Sequence, residues 1–172
     1  MLPSTVNESY SVRVAGDAMG FAAAHFITLD NGETEPLHGH DYRVAAEMTA
    51  PLGPHRYTVD FVAVEKALRG LVRELDHRTL LPERHPAMQI DVRESEVEVR
   101  LAARRWILPR RDCVLLPIEN TTAEALARHL AAELWSKLAE HVVRPPIALR
   151  VEVFESPGFS AACTLAPATE PR

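Results

Sequence analysis

The sequence predicts an α+β protein: an antiparallel sheet with two helices on one of its faces. Three observations carry this expectation. Residues 10–14, 41–49 and 147–154 alternate apolar and polar positions, as half-buried strands do. Two segments, starting at Phe61 and at Thr121, repeat apolar residues at helical spacing. The order is strands, two helices with an insert between them, then strands, which suits helices packed on one side of an antiparallel sheet. At 172 residues and 47% hydrophobic content, the chain reads as a single domain over 1–172 with a core of its own.

Tyr10 to Val14 form the first strand, leading through Gly16 and Gly20 into the apolar run Phe21-Ala22-Ala23-Ala24-His25. His38-Gly39-His40 opens the next strand, and the expectation is a meander of two or three antiparallel strands by Thr49. Pro51-Leu52-Gly53-Pro54 breaks it. Asp60 is a helix N-cap, and Phe61, Val64, Leu68, Leu71, Val72 and Leu75 follow at helical spacing to Asp76-His77. Prolines at 82, 86, 109 and 117 interrupt the next stretch. Val97, Val99 and Leu101 alternate there with charged residues, and Trp106-Ile107-Leu108 can return antiparallel, so a β-hairpin insert is expected at about 84–117. Thr121 with Glu124 reads as a capping box for a second helix running to about Glu140 with Leu126, Leu130, Leu134 and Leu138 on one face. Ile147 to Phe154 form a late strand, Ser156-Pro157-Gly158 a turn, and Phe159 to Leu165 the last strand.

A net charge of −5 gives no electrostatic case for nucleic acid or an anionic membrane. Cys113 and Cys163 form no close-spaced metal motif, and no basic stretch followed by a long apolar one begins the chain, so a cytoplasmic protein is expected.

His38 and His40 are the focus of the chemistry. Residues i and i+2 of a strand share a face, so both imidazoles project to the side that carries Tyr42, Val44, Ala46 and Met48. If the strand ending at His25 pairs alongside, three imidazoles converge, a ligand set that suits catalytic zinc with an open position better than structural zinc. A lone histidine on an apolar strand is otherwise a core residue. Glu155 continues the apolar parity of its strand, and a carboxylate there is costly to bury without a partner. It sits at a solvated mouth or receives a ligand with donors.

The ordered run Phe-Ala-Ala-Ala-His25, His38-Gly39-His40, Val59-Asp60-Phe61, Leu75-Asp76-His77, Thr122-Ala123-Glu124 and the strand ending in Glu155 resembles the 6-pyruvoyltetrahydropterin and 6-carboxytetrahydropterin synthase family. The resemblance spans about residues 10 to 165. It implies a tunnelling fold, in which sheets of several subunits join into a barrel, usually a hexamer with active sites between subunits. It further implies Zn2+ on His25, His38 and His40, an Asp76-His77 pair assisting the base from a neighbouring subunit, and Glu155 receiving the amino-pyrimidine edge of a pterin. Thr122 and Glu124 fall on a substrate-side loop of the family, with the capping box as a competing explanation for both. A helix C-terminus with its dipole is the competing reading of Asp76-His77.

One departure matters. The pyruvoyl- and carboxy-forming enzymes carry a cysteine shortly before His-Gly-His, whereas residues 31–37 contain none. Glu35, three residues before His38, resembles instead the Glu-x-x-His-Gly-His variant, which cleaves the side chain of dihydroneopterin triphosphate to 6-hydroxymethyl-dihydropterin in a folate-type route. Glu35 is then the candidate base; a solvated loop carboxylate is the alternative. Two other functions remain: a pyruvoyl- or carboxy-pterin synthase reaction, and a non-catalytic module that binds a pterin or purine or holds structural zinc.

Overall fold

The computed structural model describes residues 10–139 and 148–167. Glu140, the expected end of the second helix, His141, and Ile147, the expected start of the late strand, lie outside the described residues. Among the described residues, ten strands and two α-helices follow in the order β1 (Tyr10–Val14), β2 (Gly20–His25), β3 (His38–Ala50), α1 (Phe61–Leu75), β4 (Arg78–Pro82), β5 (Gln89–Val92), β6 (Glu96–Leu101), β7 (Arg104–Pro109), β8 (Cys113–Leu116), α2 (Ala123–Ala139), β9 (Ala148–Ser156) and β10 (Phe159–Leu165). This is the α+β architecture the sequence predicts.

The meander gives way to a different arrangement. β1 and β2 lie end to end along one edge of the 13-residue β3, with Tyr10 opposite Ala50 and Val14 opposite Ala46, then Gly20 opposite Arg43 and His25 opposite His38. A 3-10 turn at Asp17–Met19 after Gly16, whose φ of 145° suits glycine, steps the chain from one to the other without reversing it. β9 pairs antiparallel with the other edge of β3, and β10 with β9.

At the opposite side of the sheet, the pairings of β4 with β2 and of β8 with β4 are parallel. A parallel pair needs a crossover, and here α1 supplies the first and the insert the second. The order across the sheet is β10-β9-β3-β2-β4-β8, with β1 beside β3.

Both helices cover one face. Asp60 caps α1 by accepting from Val62 N at 2.9 Å, and Val64, Leu68, Leu71, Val72 and Leu75 are buried against Phe21, Tyr42, Val44, Leu126, Leu130 and Leu149. Each such aliphatic side chain contributes about 1.5–3 kcal/mol by leaving water. The second helix begins one residue later than a Thr121 cap requires. Thr122 Oγ1 accepts from Ala125 N at 3.3 Å, whereas the Thr121 hydroxyl donates to Phe26 O at 2.8 Å and is buried. The capping box yields to that tertiary bond.

The insert holds three strands where a hairpin is expected. β5, β6 and β7 form a separate antiparallel sheet in which Val97, Val99 and Leu101 are buried with Phe26, Leu81 and Cys113. Its inner side also presents Trp106, stacked on Phe26 at 4.5 Å between ring centroids and 10° between planes. On its outer side the Glu98 carboxylate, buried to 3% exposure, meets Arg100 and Arg105 at 2.6 Å and Arg93 at 3.2 Å.

Candidate active site

The pairing of β2 with β3 sets His25 directly opposite His38, and the strand period adds His40 on the same face. One ring nitrogen from each of the three lies within 4.8 Å of the others. Ring centroids are 4.7 Å apart for His25 and His38, 4.8 Å for His38 and His40 and 5.2 Å for His25 and His40. Gly39 between them lets the two strands approach closely: a Cβ there would stand a tight 3.2 Å from Ala23 O across the ladder.

Two of the imidazoles have their outer nitrogen committed. His25 Nδ1 lies 2.9 Å from Thr121 O, and His38 Nδ1 lies 2.8 Å from Pro36 O. A carbonyl accepts only, so Nδ1 carries the proton and Nε2 turns a lone pair inward. His25 Nε2 is buried with no hydrogen-bond partner. It lies 3.4 Å from Glu155 Oε1, and His40 Nε2 lies 3.7 Å from the same oxygen. Lone pairs facing a carboxylate repel unless a cation stands among them, so the donor set fits a divalent metal of the zinc type. Burial lowers the His25 pKa, against smaller upward contributions from Thr121 O and Glu155, which keeps the imidazole in its ligating neutral form.

Glu155 Oε1 also accepts from the Tyr42 hydroxyl at 3.4 Å. Burial, reinforced by that carboxylate, raises the Tyr42 pKa, so the phenol stays protonated as a donor. Tyr42 continues the parity of His38 and His40 by one more step, which is the sequence signal that could have placed it in the site.

Glu35 stands at the same site. Its Oε2 lies 3.8 Å from His38 Nε2, and the backbone on either side is fastened: Glu35 N donates to Ile27 O at 3.0 Å and Glu35 O accepts from Arg104 Nη1 at 2.9 Å. Neither thiol belongs to the imidazole cluster: Cys113 packs with Phe26, Leu81 and Trp106 under the small sheet, and Cys163 lies on β10.

Asp76 and His77 make no bond to the three imidazoles within the chain. Asp76 Oδ1 accepts from Ala22 N at 2.9 Å and His77 N donates to Ala22 O at 2.7 Å, so the pair grips one residue of β2 by both backbone groups. His77 holds a left-handed φ of 56°, its Nδ1 lies 3.0 Å from Asp76 Oδ1, and its side chain is 83% exposed. The bond from Ala22 N, more than the one from His77, holds the Asp76 carboxyl below its ordinary pKa. His77 borders a cavity of about 520 Å³ lined by Ala22, Ala23, Ala24, Gly39, His40 and Asp41 among others. Ala22, Ala24, Gly39 and Asp41 have the parity opposite to the core-facing His25 and Tyr42, whereas Ala23 and His40 share it. Thr122 caps α2 beside Thr121, and Glu124 is exposed on its first turn without a bond to the site. Thr121, which sequence reasoning treats only as a cap, holds His25 through its carbonyl; nothing in the sequence marks a backbone oxygen for that role.

The family model for 6-pyruvoyl tetrahydropterin synthase matches residues 17–165. The chain belongs to that family. It is 30% identical over 119 residues to a putative 6-carboxy-5,6,7,8-tetrahydropterin synthase of Methanocaldococcus jannaschii, covering 69% of this chain and 72% of that one. A dihydroneopterin monophosphate aldolase of Pyrococcus furiosus is 37% identical over 60 residues, 35% of this chain and 50% of its own. The 6-pyruvoyltetrahydropterin synthase structure from Plasmodium vivax superposes with a TM-score of 0.86 at 25% identity, covering 93% of this chain and 99% of that one. Two further structures of that protein, with the same coverage and TM-score at 24% identity, carry Ala or Cys in place of a glutamate named as a catalytic residue. The tunnelling fold and a pterin-directed enzyme family are thereby shown.

Proposed function

We propose that this pterin enzyme is a zinc-dependent lyase that cleaves the side chain of dihydroneopterin triphosphate, leaving 6-hydroxymethyl-dihydropterin. The observation that carries the reading is Glu35 Oε2 at 3.8 Å from His38 Nε2, beside a cluster of possible metal ligands that, among the described residues, holds three imidazoles and no thiol. The glutamate replaced as a catalytic residue in the Plasmodium vivax variants and the aldolase relative support it.

His25, His38 and His40 would hold zinc, which supplies Lewis acidity toward the side-chain hydroxyls and the carbonyl that forms. Glu155 receives the amino-pyrimidine edge of the pterin through charge-assisted bonds, with Tyr42 holding its Oε1. Thr122 and Glu124, at the start of α2, are assigned to the substrate side by the resemblance to the family, with no bond to the imidazoles within the chain. Glu35 takes the proton of the hydroxyl on the second side-chain carbon. As that oxygen becomes a carbonyl, the bond between the first and second carbons breaks and its electron pair passes into the C6=N5 imine. A proton returned to the first carbon completes the hydroxymethyl group, and a two-carbon phosphorylated aldehyde departs.

Asp76 and His77 serve the site of a neighbouring chain, because their own imidazole trio shares no bond with them. A homo-oligomer, a hexamer in this reading, follows, and free Cys113 and Cys163 suit the reducing cytoplasm. Among the described residues no helix is long and apolar enough to cross a membrane.

The Methanocaldococcus jannaschii relative favours a second reading, a carboxy-pterin synthase reaction. Product analysis after incubation with dihydroneopterin triphosphate separates the two. A hydroxymethyl pterin with a phosphorylated two-carbon aldehyde is the expected pair; a pyruvoyl or carboxy pterin overturns it, and pterin binding without turnover supports the non-catalytic alternative.

A further inference from the structure

The insert sheet touches the candidate site at one point that the proposed reaction leaves unused. Arg104 opens β7, directly after the tight β6–β7 turn at Ala102 and Ala103, where Ala102 has a φ of 50°. Its Nη1 donates to Glu35 O at 2.9 Å across 69 residues of chain. We propose that Arg104 is a positioning residue for Glu35, and that the β6–β7 hairpin is the brace that holds the base-bearing loop over the imidazoles. The inference rests on the reading of Glu35 as the base.

The loop after β2 is tied along its length. Thr28 and Thr34 form a β-bridge, Leu29 N donates to Glu33 O at 2.8 Å, and Glu35 N donates to Ile27 O at 3.0 Å. Asn120 fixes its base by accepting from Thr28 N at 3.3 Å and donating to Thr28 O at 2.8 Å. Those ties stop at the amide side of Glu35. Beyond it, Pro36 has no N–H to donate, although its carbonyl faces His38 Nδ1 at 2.8 Å, and Leu37 is exposed before β3 begins. The Arg104 guanidinium fastens the carbonyl side of the same residue, at the last peptide before the proline. Its platform is rigid because Trp106, two residues on, stacks on Phe26, the residue after His25. The same contact that seats the hairpin therefore indexes it to a metal ligand. A base displaced by about 1 Å can cost on the order of 10²-fold in rate, so one terminal hydrogen bond on this loop is enough to matter. A guanidinium donates through a planar fork, while lysine keeps the charge and one donor on a flexible stem.

The test uses the full-length zinc-loaded protein with Arg104→Met, Arg104→Lys, Glu35→Gln and the Arg104→Met/Glu35→Gln pair. Arg104 is exposed and its loss opens no core. Expected for Arg104→Met are a kcat lower by about tenfold or more, KM and zinc content unchanged, and hydrogen exchange over 27–37 faster by about tenfold or more. Arg104→Lys should recover much of both, and in the Glu35→Gln background Arg104→Met should lower the rate no further. Unchanged kcat and exchange in Arg104→Met overturn the brace. So does a rate loss without faster exchange, or an equal loss in the Glu35→Gln background. Full turnover in Glu35→Gln counts against Glu35 as the base and not against the brace, which the exchange measurement decides independently.

Discussion

His25 Nε2 faces Glu155 Oε1 at 3.4 Å, with the other ring nitrogen of His25 held by Thr121 O. A buried imidazole lone pair set against a carboxylate oxygen is repulsive in the neutral, metal-free state and becomes attractive around a cation.

The metal-loaded protein should carry about one zinc per chain, in line with a three-imidazole site. His38→Ala should reduce zinc to a small fraction while the fold persists, because His38 is only partly buried and removes no core contact. Elemental analysis with circular dichroism reads both. Full zinc occupancy in that variant removes His38 from the ligand set.

Glu155→Gln separates pterin recognition from metal binding. The substitution keeps shape and removes the charge that accepts two bonds from an amino-pyrimidine, so pterin affinity should fall by on the order of 10-fold or more while zinc is retained. Titration calorimetry against a dihydropterin measures the first and elemental analysis the second. Zinc lost together with pterin assigns Glu155 to the metal set instead.

Glu35→Gln should keep zinc and substrate binding while turnover drops by ~10²-fold or more, the scale of a positioned general base. Asp76→Asn and His77→Ala should also be slow. Mixing inactive Glu35→Gln chains with inactive His77→Ala chains should restore part of the activity, since hybrid assemblies place an intact Glu35 against an intact His77. No recovery after subunit exchange, verified by mass, would confine the reaction to single chains.

Acid should weaken the insert sheet first through Glu98. Hydrogen bonding to Arg105 and then Arg100 outweighs burial and holds its pKa at about 2, against an ordinary 4.5. A carboxyl whose folded pKa is depressed contributes stability that is complete above about pH 4.5 and is lost as pH falls from there toward 2. The denaturant midpoint should therefore decline through that window, and Glu98→Gln should start lower and decline less. An identical decline in both proteins would place the acid-sensitive group elsewhere.

Local sequence determined the elements that depend on local rules. Asp60 as a cap and five buried residues at helical spacing define α1 as Phe61–Leu75, and strict alternation defines β1 as Tyr10–Val14. The His38/His40 pair is legible for the same reason, because a strand's two-residue period alone makes neighbours of them. The tertiary structure decided what depends on pairing across long separations. Only the register of β2 on β3 brings His25 opposite His38, and only the crossovers through α1 and the insert make β4 and β8 parallel to their neighbours. The cap of α2 moved from Thr121 to Thr122 because a buried hydroxyl found Phe26 O, 95 residues away, and the His25 anchor is a backbone carbonyl that any residue at 121 would present. Arg104 likewise reads as one more surface arginine until the fold sets it against Glu35. Hydrogen bonds to main-chain atoms carry no residue signature, so the contacts that aim this site could be read only once the chain was folded.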